Sequence, residues 1–153
     1  MQLLKKPIIL FVFSVLVLGA CKSMPNFSEI SGKEWLLSEI RTQGGKITID
    51  RNELKNSGFS ENIFSLVLDA GRVSGVGAPN RYFAPFTLGE GQSITIQNIA
   101  GTLMAPLFEP EKLKEHEFFV YLQNTSKWDL VKGQLELYTR DENRAETVLV
   151  FNQ

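Results

Sequence analysis

The chain holds one histidine, His116, flanked by Glu115 and Glu117, and one cysteine, Cys21. Acid–base work at His116 needs a positioned partner in a cleft, and a zinc centre needs three or four ligands. One His and one Cys do not supply either. The carboxylates Glu109, Glu111, Glu115 and Glu117 lack the closely patterned oxygen ligands of a calcium loop and read as a solvated helix face, with His116 on or near it. Serines are present without a Gly-x-Ser-x-Gly elbow, which leaves a serine triad without support. Gly71, Gly75 and Gly77 lack the Gly-Lys-Ser/Thr ending and following helix of a phosphate loop. No catalytic, cofactor or metal site is expected, and the chain reads as non-enzymatic.

Four other residues carry recognition chemistry. Asn80, Arg81, Tyr82 and Thr102 supply an amide, a guanidinium, a phenol and a hydroxyl. They lie in two turn-like knots, Gly75 to Tyr82 and Thr102 to Pro106, which bracket two strand-like runs. Such groups either grip a ligand or satisfy loop backbone. The second is expected, because Asn favours turns and buried polar groups usually serve the backbone.

The elements that must position them follow from periodicity. Gly32 to Ile40 reads as the first strand, and Gly44-Gly45 turns it into Lys46 to Asp50, with Ile47 and Ile49 sharing a face. Residues 50–62 are polar and read as a loop with a helical turn around Asn52 to Lys55. Ile63 to Leu68 and Arg72 to Gly75 form a hairpin, with Phe64, Leu66 and Leu68 facing one way. Arg81 to Leu88 places Tyr82, Ala84, Phe86 and Leu88 on one side, and Pro85 marks that strand as an edge or bulged one. Gly89-Glu-Gly91 then turns into Ser93 to Ile96. Glu109-Pro110-Glu111 carries helix-start signals, so a helix is expected near residues 110–124. Trp128 to Val131, Gln134 to Thr139 and Thr147 to Phe151 close the chain as a meander. The fold class is mainly β (α+β): a small antiparallel, barrel-like sheet with one packed helix.

The N-terminus reads separately. Lys5 and Lys6 precede an uncharged apolar run, Pro7 to Leu18, which is shorter than the roughly 20 residues a spanning helix needs. It fits the apolar core of a secretory signal. Leu18-Gly19-Ala20-Cys21 resembles the bacterial lipobox, in which the cysteine is lipidated and becomes the first mature residue. The expected organisation is a lipoprotein signal peptide over residues 1–20, a lipidated tether over 21–31 and one domain over 32–152. Lys22 follows the cysteine where an aspartate often marks inner-membrane retention, so an outer-membrane anchor facing the periplasm is expected. Without residues 1–20 the chain has fourteen Lys/Arg against seventeen Asp/Glu, a net charge of −3. That balance offers no basic field for nucleic acid.

Taken together, Trp35-Leu36, Arg72-Val-Ser-Gly75, Asn80-Arg81-Tyr82, Thr102-Leu-Met-Ala105, the helix containing Glu115 to Leu122, Gly133-Gln-Leu-Glu-Leu137 and Leu149-Val-Phe151 resemble the META/HslJ-like domain. The resemblance covers about residues 32–152. It implies a small antiparallel barrel with a helix packed against it, in envelope proteins linked to stress or virulence, with no shared reaction. Members often carry Gly-Cys-Asn where this chain has Ala78-Pro79-Asn80, and a Cys where it has Pro106. The paired replacement suggests that the two sites lie close together and that prolines stiffen the loops here. The expected role is a binding or envelope-maintenance module, whose partners are the membrane through its anchor and an envelope protein. The second reading is a lipocalin-like carrier holding a small apolar ligand at the barrel mouth near Tyr82 and Thr102.

Overall fold

The computed structural model describes residues 24–105, 108–141 and 143–153. The residues read as a signal peptide, Cys21 and Pro106 lie outside the described residues. A 3-10 turn (Phe27–Glu29) leads into β1 (Glu34–Thr42), β2 (Gly45–Thr48), α1 (Arg51–Asn56), β3 (Ser65–Asp69), β4 (Arg72–Val76) and β5 (Arg81–Leu88). Then come β6 (Ile94–Ile96), β7 (Ala100–Gly101), α2 (Glu115–Gln123), β8 (Lys127–Val131), β9 (Gln134–Arg140) and β10 (Glu146–Asn152). The fold is mostly β: the strands run β6-β5-β4-β3-β1-β10-β9-β8, with β2 beside β1 and β7 beside β5, all antiparallel pairs.

The two ends of that order meet. Ile94 N–H donates to Ser126 O at 3.1 Å and Trp128 N–H to Gln92 O at 2.9 Å, so β6 and β8 nearly close the sheet into a barrel. Closure leaves few open edges for another chain to pair with. Alternation fills the inside. Tyr82, Ala84 and Phe86 of β5 turn inward, as do Leu66 and Leu68 of β3, Leu135 and Leu137 of β9, and Leu149 and Phe151 of β10. α2 plugs the barrel with Phe118 and Leu122, both fully buried. The Phe118 ring packs edge-on against Phe64 at 5.3 Å and Tyr82 at 5.9 Å.

Several expected boundaries move. α2 begins at Glu115 rather than near residue 110. Pro110 and Leu113 are buried instead, so residues 108–113 run as a strap over the barrel end. Of the segment read as a tether, residues 26–31 fold onto the barrel. The Phe27 ring lies 5.6 Å from both Phe86 and Trp128, and the Trp35 indole N–H donates to the carbonyl of buried Ile30. Leu88 is 46% exposed and leaves the inward face shared by Tyr82, Ala84 and Phe86, because β5 ends there. Ile47 is exposed while Ile49 is buried, since β2 stops at Thr48 between them.

Pro85 is accommodated as a bulge. Phe83 pairs Ala100 and Phe86 pairs Ile96, so two β5 residues face three partner residues, 97–99. The missing proline N–H falls at that irregularity.

β1 also changes partner midway, from β3 at residues 34–36 to β2 at residues 39–42, with a bulge between Leu37 and Glu39. The split strands Leu37 O and Ile63 O. The Arg51 guanidinium fills the gap, donating to Ile63 O at 2.5 Å and to Leu37 O. Burial lowers its pKa to about 10, so it stays a cation at neutral pH. Arg51→Ala is expected to cost about 2 kcal/mol, since both carbonyls lose their donor and the stem loses its packing. Urea unfolding checks this as a lower midpoint at constant slope; an unchanged midpoint would refute the role.

Candidate functional site

The two knots meet at Asn80. Asn80 Oδ1 accepts from Thr102 Oγ1 and from the Met104 N–H, both at 2.8 Å. Its Nδ2 donates to Met104 O at 3.1 Å and to Glu115 Oε2 at 2.7 Å. Those four bonds use the full capacity of a side-chain amide. Asn80 is 6% exposed and has nothing left to offer a ligand.

Glu115 completes the lock from the first turn of α2. Its Oε1 accepts the Ala78 N–H at 2.6 Å and the Asn80 N–H at 2.7 Å, so one carboxylate holds the β4–β5 loop from both sides of Pro79. Charge-assisted bonds of this kind are shorter and stronger than neutral ones. Gly77 gives the carboxylate room, because a Cβ there would lie 2.5 Å from Glu115 Oε1 and 2.9 Å from the Phe119 ring. Next along, the Tyr82 hydroxyl donates to Ser65 O at 2.9 Å, and complete burial pushes its pKa well above the ordinary phenol value.

Of the four residues singled out from the sequence, Asn80, Tyr82 and Thr102 are therefore bound up in the fold. Arg81 departs from them: it points outward, exposed. There it joins a surface groove of about 510 Å³ along the wall of β3, β4, β5 and β7. Alternation puts Arg72, Ser74 and Val76 of β4 beside Phe83 and Arg81 of β5, with Ser74 directly opposite Phe83. The Arg72 guanidinium lies 4.2 Å from the centre of the Phe83 ring, which is itself 45% exposed. Four cations elsewhere in the domain are neutralised: Arg41 and Lys46 by Glu39, Lys55 by Glu61 and Lys112 by Glu53. Neither Arg72 nor Arg81 forms an ion pair among the described residues.

The solvated face expected for Glu109, Glu111, Glu115 and Glu117 does not include Glu115, whose carboxylate is taken up by the Ala78 and Asn80 N–H groups and the Asn80 amide, and no local pattern separates it from the others. Glu117 instead caps α2, accepting the Lys114 N–H at 2.8 Å, while Glu109, Glu111 and His116 are exposed. Arg72 and Phe83 are equally hidden in the sequence, because strand alternation marks the buried face and leaves the outward residues unspecified. The Pro79 loop touches the segment leading toward Pro106 at Asn80 and Met104, while Pro106 itself lies outside the described residues.

Three comparisons place this geometry. A protein from Burkholderia xenovorans solved by NMR has a similar fold at TM-score 0.60, with 17% identity, 98% of this chain covered and 97% of the other. At that identity the likeness carries the fold alone. No match is found among curated proteins. The META domain model matches residues 28–151, nearly all of the barrel, and the chain belongs to the META domain family.

Proposed function

We propose that this META domain is a non-enzymatic binding module of the bacterial envelope, tethered by lipid at Cys21 to the outer membrane and facing the periplasm. Its binding face is the Arg72–Phe83–Arg81 wall, and the partner is an acidic segment of an envelope protein. The observation that carries the reading is the division of labour around the knot. The polar groups of Asn80, Tyr82 and Thr102 are spent on the fold, whereas two unpaired arginines flank an exposed aromatic ring in an open groove. Arginine is among the residues that most often dominate binding energy at interfaces, and phenylalanine is enriched there. The barrel interior, filled by Phe118, Leu122 and the inward strand residues, speaks against a carrier of apolar ligands inside it.

The test uses the full chain in a bacterial host. Wild type is expected in the membrane fraction, and Cys21→Ala in the soluble or unprocessed fraction; a processed, membrane-held variant would overturn the anchor. A photo-crosslinking residue at position 83 should capture a protein adduct that disappears in Arg72→Ala with Arg81→Ala. Exposed substitutions of this kind shift stability by about 0.5 kcal/mol or less, so loss of the adduct would not reflect unfolding. No adduct, or one indifferent to both arginines, would overturn the binding wall.

A further inference from the structure

A second depression, of about 330 Å³, lies between α1 and the strap of residues 108–113, away from the arginine wall. Its size is at the lower end of small-molecule sites. The floor is apolar: Ile49, Phe64 and Leu113 belong to the buried core, and Leu54 and Phe59 pack against it. Phe108 forms one wall, 55% exposed, with its ring 4.9 Å from that of Phe59.

The rim is acidic. Asp50, Glu53, Glu109 and Glu111 surround the opening against one cation, Lys112. Asp50 is committed to capping α1, accepting from Asn52 N–H at 2.8 Å and Glu53 N–H at 3.3 Å. Glu109 and Glu111 have no partner among the described residues. The Lys112 ammonium lies across the mouth on Glu53 Oε2 at 2.5 Å. The protein thus seats an alkylammonium of its own at the rim.

We infer that this depression binds a small organic cation, an aryl- or alkylammonium, with its apolar body on the floor and its ammonium among the rim carboxylates. The two aromatic rings suit such a ligand further, since a cation is attracted to the face of a ring. A neutral or anionic molecule of the same shape gains the floor but not the rim. Lys112 competes for Glu53, so its removal opens a carboxylate to the ligand. This inference does not depend on the arginine wall or on the anchor.

The test titrates the full chain, held in a neutral detergent, with phenethylammonium by methyl-resolved NMR, and compares phenylpropionate as the anion of similar shape. Saturable shifts are expected at Leu54 and Leu113, with the cation bound about tenfold more tightly than the anion, a preference that falls as salt screens the rim. Glu109→Gln with Glu111→Gln should remove most of that preference. Lys112→Ala should tighten cation binding several-fold. Leu54→Trp fills the floor and should abolish binding. Equal affinity for cation and anion, shifts that do not saturate, or shifts confined to other surfaces would overturn the inference. The two Gln substitutions lie at exposed positions and keep it falsifiable if the Trp variant does not fold.

Discussion

Gly75→Ala should cost about 4 kcal/mol, the sum expected when an overpacked core contact also breaks a buried hydrogen bond. Gly75 pairs with Tyr82 across β4 and β5. A Cβ on it would lie 2.0 Å from Ser65 O, 2.8 Å from the Ser65 carbonyl carbon and 3.0 Å from Tyr82 Cε1. The first two are backbone atoms, so no rotamer change relieves them. Relief requires β4 to move off β3, or the Tyr82 ring to tilt. Either motion breaks the Tyr82 hydroxyl bond to Ser65 O, and the first also loses the bond from Val76 N–H to Ser65 Oγ at 3.3 Å. Urea unfolding should show a much lower midpoint with an unchanged slope. Gly44→Ala is the control, because its nearest neighbour, Thr42 Oγ1, lies 3.9 Å away and the cost should stay within about 0.5 kcal/mol. Equal midpoints for the two variants would remove the packing argument.

That clash also marks a limit of what the sequence alone conveys. Gly75 reads locally as a turn glycine, yet it is a strand residue whose constraint is a carbonyl ten residues earlier in the chain. The strands themselves were legible, because an antiparallel barrel with a filled interior imposes period-two alternation on each of them. The bulge at Pro85 was legible for the same local reason, and so was the tight hairpin at Ala70-Gly71, where φ is 45° and 76° as a two-residue turn demands. Legibility failed where a distant contact overrode a local signal. Pro110 and Glu111 carry helix-start chemistry, but burial of Pro110 and Leu113 turns them into the strap. The helix then starts with Glu115 reaching back to a loop 35–37 residues earlier. Phe64 is a smaller case: its φ of 53° keeps it outside β3, though its ring still enters the core that alternation assigned it. In the candidate site the sequence pointed to Asn80, Arg81, Tyr82 and Thr102 but not to Glu115, Arg72 or Phe83. It did not reveal which were spent on the fold and which faced solvent, because that depends on Glu115 and Met104 arriving from elsewhere.

Asn80→Asp tests that lock, and at neutral pH it is expected to cost about 3 kcal/mol, approaching the loss seen when a buried charge is left without a partner. The substitution keeps the oxygen that accepts from Thr102 Oγ1 and the Met104 N–H. It replaces the amide nitrogen, which donates to Glu115 Oε2 at 2.7 Å and Met104 O at 3.1 Å, with an oxygen facing both acceptors. Two carboxylates that close, one of them 6% exposed in the native residue, do not both ionise at ordinary pKa, and the pair takes up a proton above the usual carboxylate range. The folded variant then binds more protons than the unfolded chain, so its stability falls as pH rises through the raised folded value. It is regained as pH falls and is fully present below the unfolded carboxylate values of about 4. A shared proton restores the donor between the two groups, which is why the gap to wild type should narrow at pH about 4.5 and widen at about 7.5. Adding Glu115→Gln removes the opposing carboxylate, so most of this extra pH dependence should vanish in the double variant. A cost that is the same at both pH values, or that survives Glu115→Gln undiminished, would mean that Asn80 and Glu115 do not act as one lock and that the knot retains polar capacity for a ligand.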